Sequence, residues 1–137
     1  MHPQVWADAR PRIAAAAAVA GVTVAWPNED FNRPEPPAIW LDIEFSSSSE
    51  DAIEIGARTW QEDGSLWLHF MLPRGQGIDG ALRIKDALSA AFRDVPDAAV
   101  GLSYRGQSTD PIGEGTDNGV YRRMTLMVRY AFQSQLA

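Results

Sequence analysis

Alternation of apolar and polar residues is the feature that most restricts how this chain can fold. Between Ala38 and Phe45, one side of an extended chain carries Ile39, Leu41, Ile43 and Phe45, and the other carries Trp40, Asp42 and Glu44. That period of two is the mark of a half-buried strand. It recurs in Leu66, Leu68, Phe70 and Leu72, and again in Val120, Met124, Leu126, Val128, Tyr130 and Phe132, where Arg122 interrupts it. Runs at Val22 to Trp26, Ile53 to Gln61 and Ala99 to Arg105 supply the other candidate strands. Asp63-Gly64 reads as a hairpin turn between the Ile53 and Leu66 arms. Ser46 to Asp51 reads as a polar turn, and Gly106 to Gly119 as a long polar loop before the last strand, Val120 to Phe132.

Two segments change to the helical period. Ile78 to Arg93 places Ala81, Ile84, Leu88 and Ala91 on one stripe, with Leu82 and Phe92 beside them. An alanine-rich segment ends at Gly21. It starts either with Asp8 as cap and Pro11 in the first turn, or near Pro3 with a bend at Pro11. Asn28 to Pro37 holds Pro34, Pro36 and Pro37 and must be an extended, irregular connection. The expected fold class is α+β, a mostly antiparallel sheet with two packed helices, in a single domain spanning residues 1–137.

Composition narrows the function. With 45% hydrophobic and 22% charged residues, the chain has the make-up of an ordinary globular domain. Cysteine is absent, which excludes disulfides, thiolate metal sites and cysteine nucleophiles. The net charge of -6 argues against gripping nucleic acid, which requires a basic face. No segment approaches the ~18 apolar residues that a membrane span needs. Arg10 and Arg12 ahead of Ile13 to Ala20 imitate a signal peptide, but the run is nearly all alanine and Asp8 sits in its leader, so a first helix is the reading taken.

Motifs for catalysis are incomplete. Gly75-Gln76-Gly77-Ile78-Asp79-Gly80 is a literal G-x-G-x-x-G between a strand and a helix. A dinucleotide site would need an acidic residue at the end of the next strand, and that strand ends in Tyr104-Arg105-Gly106. Asp42, Glu44 and His69 are the residues a small hydrolytic or ligand-binding enzyme would use, but with Trp40 beside them a solvated or subunit-contacting face is the reading taken. No catalytic residue, cofactor or metal ligand is assigned. Five tryptophans are many for this length, and Trp40, Trp60 and Trp67 fall out of phase with the clearest core positions. They lie either on a second sheet face that the helices cover or on a partner surface, where Trp and Arg are enriched.

Three stretches resemble the phage tail-terminator and tail-completion family of long-tailed bacteriophages. These are Trp26-Pro27-Asn28 with Phe31, Pro34, Pro37 and Ile39-Trp40-Leu41; Gly64 to Gly77 with its Pro-x-Gly-x-Gly turn; and Gly119-Val120-Tyr121-Arg122-Arg123 through Tyr130. The resemblance implies a structural virion protein and not an enzyme. It implies a homo-hexameric ring on top of the tail tube that ends tube polymerisation and presents a joining surface to the head. The partners would be further copies of the chain, the major tail tube protein and the head-tail connector or neck proteins. DNA would pass through the lumen without specific binding, no membrane would be involved, and assembly would occur in the host cytoplasm. Another neck or head-closure adaptor is the alternative within that class. Candidate interface residues are Trp26, Phe31, Trp40, Trp67, Arg74, Asp110, Asp117 and Arg123. The loops at 28–37 and 106–119 are expected to reach neighbours above and below.

Overall fold

The computed structural model of the chain describes residues 1–52, 59–114 and 119–135. Its elements in order are α1 (Pro3–Ala20), β1 (Thr23–Ala25), β2 (Trp40–Ala52), β3 (Thr59–Pro73), α2 (Asp79–Ala90), β4 (Leu102–Glu114) and β5 (Tyr121–Gln135). The strands form one sheet in the order β1-β2-β3-β5-β4. β1 lies parallel to β2, with Val24 opposite Leu41, and the other neighbours are antiparallel. This is the α+β architecture that the alternation predicts.

α1 takes the second of its two possible starts. His2 caps it, its ring Nδ1 accepting from the Gln4 amide at 3.1 Å, and Pro3 occupies the first turn, where a missing N–H costs nothing. The helix runs through Pro11 and ends at Gly21, whose φ of 73° lets the Val22 amide reach back to Ala17 at 3.0 Å. Asp8 is therefore inside the helix and caps nothing. Val5, Ala9, Ile13 and Ala17, four residues apart, form the buried line of α1. α2 buries Ala81 and Leu88, and Phe92 is buried just beyond it. Leu82, expected beside the stripe, is exposed.

Both helices pack on the same face of the sheet. Leu41, Ile43, Leu66, Leu68, Phe70, Leu72, Met124, Leu126 and Val128 meet Ala9, Ile13 and Ala17 of α1 and Ala81 and Leu88 of α2 in one core. A smaller cluster of Val5, Leu102, Tyr130 and Phe132 continues it toward the start of α1.

Three expected breaks in the sheet are not breaks. Asp63-Gly64 lies inside β3, opposite Ser49 and Ala131 at Asp63 and opposite Ser47 and Tyr130 at Gly64. The glycine is there because β2 and Tyr130 come too close for a side chain: a Cβ would stand 2.5 Å from the Tyr130 hydroxyl. The serine run is likewise strand. Ser47 Oγ donates to Glu62 at 2.9 Å and Ser48 Oγ to the Asp63 carbonyl at 2.9 Å, so hydroxyls that suggest a turn instead bind the neighbouring strand, with a register shift between Ser47 and Ser49. Gly106 to Glu114 is the greater part of β4, which absorbs its turn-like residues in two shifts, between Tyr104 and Gln107 and between Asp110 and Gly113. β5 starts at Tyr121, leaving Val120 exposed before it. The expected strand at Ile53 to Gln61 lies outside the described residues up to residue 58, and Thr59 to Gln61 belong to β3.

Candidate functional site

With both helices on one face, the other face of the sheet is the surface that remains to be explained. Trp40, Asp42 and Glu44 of β2 point to it beside Met71, His69 and Trp67 of β3, and Arg123, Thr125 and Met127 of β5 complete the rows. Of the two placements open to the tryptophans, Trp40 and Trp67 are on the face without helices. Trp60 is on the helix side at the far end of β3, 41% exposed beside Met1 and His2.

The proline-rich connection crosses one end of this open face. Phe31 stacks on Trp40 with ring centroids 4.9 Å apart, Trp40 meets Tyr121 edge-on at 6.0 Å, and Arg33 sits 5.8 Å over the Tyr121 ring. The connection is thus held by aromatic contacts, each contributing about 0.5–1.5 kcal/mol beyond burial. Tyr121 is 2% exposed, and its burial depends on a segment far from it in the chain.

A polar row crosses the middle of the face: Asp42, His69, Thr125 and Asp110 stand opposite one another on β2, β3, β5 and β4. His69 is 5% exposed, and its Nδ1 lies 2.7 Å from Thr125 Oγ1. Its Nε2 is 3.4 Å from the Glu44 carboxylate, yet neither this nitrogen nor Trp40 Nε1 has a hydrogen-bond partner among the described residues. Burial pushes the Asp42 carboxyl above its usual range, aided by Glu44 and opposed by His69 and Arg123. Among the described residues no cluster of three or more His, Asp or Glu side chains is arranged to hold a metal ion.

Two further carboxylates anchor the architecture, and neither was legible as such. Asp8 accepts from Arg12 Nε at 2.8 Å, the Tyr104 hydroxyl at 2.5 Å and the Ala99 amide at 3.1 Å, tying α1 to β4. Burial alone would raise its pKa; the bonds from Arg12 and Tyr104 outweigh it and hold the carboxyl below the usual range. Glu62, next to the expected Asp63-Gly64 turn, is buried on the helix side. It accepts from Ser47, the His2 amide at 3.0 Å and the Tyr130 hydroxyl, and the Met1 amine lies 3.5 Å away. Its carboxyl is also held low, burial being outweighed by Tyr130 and Ser47.

The candidate residues divide into groups. Phe31 and Trp40 pack together at the strapped end of the open face, Arg123 lies in the same row across Met71, and Trp67 lies farther along the face, its Nε1 donating to Ser46 Oγ at 3.1 Å. Asp110 is exposed on β4. Trp26 is elsewhere, packed edge-on to Trp6 at 6.1 Å with Arg10 4.5 Å over its ring. Asp117 lies outside the described residues. Arg74 lines a cavity of about 390 Å³ with Leu72, Ile78, Ile112 and Arg122, beside the glycine-rich turn. In that turn Gly75 and Gly77 have φ of 82° and 73°. The strand before it is antiparallel to both neighbours, so the parallel frame of a dinucleotide site is missing.

The 26–39 connection and the described end of β4 lie at the same end of the strands. The 26–39 connection packs on Trp40 and Tyr121, and β4 ends at Glu114, opposite Arg122. Arg33, Arg74, Arg122 and Arg123 stand at this end. At the opposite end of the strands are Glu50, Asp51, Glu62 and Asp63, and the described parts of β2 and β3 contain no arginine or lysine.

Comparison with known proteins gives a family. A family model described as phage tail terminator protein matches residues 4–130. A solved protein that carries only a sequence label is similar over 98% of this chain and 96% of its own, at 21% identity and a TM-score of 0.67, a likeness of fold. A chain in the virion of a native gene transfer agent particle matches over 95% of both chains at 17% identity, with a TM-score of 0.49. No curated protein matches.

Proposed function

The chain belongs to the phage tail terminator protein family, and from that premise we propose that it is a structural virion protein that caps the tail tube as a homo-hexameric ring. The family match over residues 4–130 is the observation that carries the reading. In this role the chain adds to the end of a growing tube of major tail tube protein, stops its polymerisation and offers the neck proteins of the filled head a joining surface. A tube of stacked rings exposes the same surface after each addition, so only a subunit with two unlike ends can stop it. The arginine-bearing end with the 26–39 connection and the acidic end formed by β2 and β3 are unlike in this sense. The net charge of -6 suits a lumen that lets DNA pass without gripping it. In this reading the end that carries the 26–39 connection would meet one neighbour, and the opposite tip of the sheet the other.

Electron microscopy of a lysate lacking the gene tests the assignment. Tails of uncontrolled length, separate from filled capsids, are expected; normal tails joined to heads would overturn it. Native mass spectrometry of the protein, and of purified tails if it assembles only there, should show a six-fold ring.

A further inference from the structure

The sheet has two edges, and they are left open in complementary ways. β1 pairs only with Trp40, Leu41 and Asp42, so from Ile43 to Ala52 the outer edge of β2 has no strand partner among the described residues. The opposite edge is β4. Open edges present rows of unpaired N–H and C=O groups that seek another strand. β2 is antiparallel to β3, β3 to β5 and β5 to β4, so β2 and β4 run in opposite directions. A second copy placed beside the first in the same orientation would therefore set its β2 antiparallel to β4.

We propose that the outer edge of β4, around Gln107 to Asp110, pairs with the free edge of β2, around Ile43 to Ser47, of a second copy, joining the subunits through a continuous sheet. The proposal rests on the ring reading above and names the contact that would build the ring.

Register supports the pairing. β4 is irregular on either side of Gln107 to Asp110, but within that stretch it pairs with β5 without a shift. Following the rows across the sheet, Gln107 is level with Val128, Leu66 and Phe45; Ser108 with Met127, Trp67 and Glu44; and Thr109 with Leu126, Leu68 and Ile43. The regular parts of both edges thus lie on the same rows, and the β2 stretch begins where β1 stops. Copies set side by side, or staggered by two residues, keep their faces in phase; a stagger of one would turn the apolar rows outward. Finally, the contact joins two different edges. It is heterologous, the kind that closes into rings, whereas β2 against β2 would stop at a two-fold dimer.

The absence of cysteine gives a clean test. Paired strands bring facing Cα atoms to within about 4.5–5.5 Å, inside disulfide range. Glu44→Cys with Ser108→Cys probes the level register, and Ser46→Cys with Ser108→Cys the stagger of two. In preparations whose native mass shows the ring, either double variant should form, on oxidation, a ladder of linked multimers that reduction collapses. Each single variant should stay monomeric on the same gel. A ring without a ladder in both double variants, or dimers from Glu44→Cys alone, would overturn the edge pairing while leaving the ring intact. A ring mass absent from solution and from purified tails would instead bring down the ring reading and the pairing with it.

Discussion

Replacing Gly64 with alanine should destabilise the fold by about 2–4 kcal/mol, although the position lies in a segment that reads as a turn. The new Cβ would stand 2.5 Å from the Tyr130 hydroxyl and 2.7 Å from its Cζ, and closer still to the Ser46 carbonyl oxygen. Ordinary contact is about 3.5 Å, so the neighbours must retreat by roughly 1 Å. None can do so cheaply. Ser46 is held in the β2–β3 ladder opposite Ser65, and Tyr130 donates to Glu62, which is also bound by Ser47 and the His2 amide. Overpacking costs about 1–3 kcal/mol, and losing a hydrogen bond to a charged group about 1.5–3 kcal/mol. At about 2.1 cal/mol/K per residue, unfolding this chain of 137 residues carries an entropy near 0.3 kcal/mol/K, so Tm should fall by about 7–13 °C. Calorimetry reads the midpoint directly. In a Tyr130→Phe background the closest side-chain contact is gone, and the same substitution should cost measurably less. A fall below about 2 °C in the wild-type background would show that β2 and Tyr130 do not close over Gly64.

Acid should weaken the fold through Asp8 and Glu62. Both carboxyls are held below their unfolded values, so their contribution is full above the ordinary carboxyl range and is lost as pH falls through the lower folded values. Urea midpoints from pH 6 to pH 3 should show this decline, and Asp8→Asn should flatten it; an unchanged slope in that variant would refute the role. At the glycine-rich turn, millimolar NAD, NADP or ATP should leave Tm unchanged. A ligand at 100 times its Kd would add about 2.7 kcal/mol, so a clear rise would reopen the cofactor reading.

The strands and their buried faces were legible where burial is one-sided. Leu66, Leu68, Phe70 and Leu72 alternate because helices cover one face only, and β5 follows the same rule from Met124 to Phe132. What misled were residues with two uses. Glycine serves a turn by adopting positive φ and serves a strand by lacking a side chain; Gly64 does the second. Serine can bond to its own turn or to a neighbouring strand, and Ser47 and Ser48 do the latter. Asp8 looks like a cap because the partners that claim it, Ala99 and Tyr104, are about 90 residues away, as the 91- and 96-residue separations show. At the candidate site the packing of Phe31 on Trp40 was not legible, since an irregular connection carries no periodicity to say which face it crosses.

The separation of charge along the strands also gives the molecule a direction. A body whose positive and negative groups sit at opposite ends experiences a torque in an external field, even when its net charge would only repel it. On β2, β3 and β5, Glu50, Asp51 and Asp63 lie toward one end and Arg122 and Arg123 toward the other, so the charge of these strands favours turning the arginine end toward an anionic surface. Docking then begins from one orientation among the many that diffusion samples, and this bias fades as salt shortens the Debye length below the span of the strands, about 10 Å at 0.1 M against about 50 Å for the 15 residues of β3.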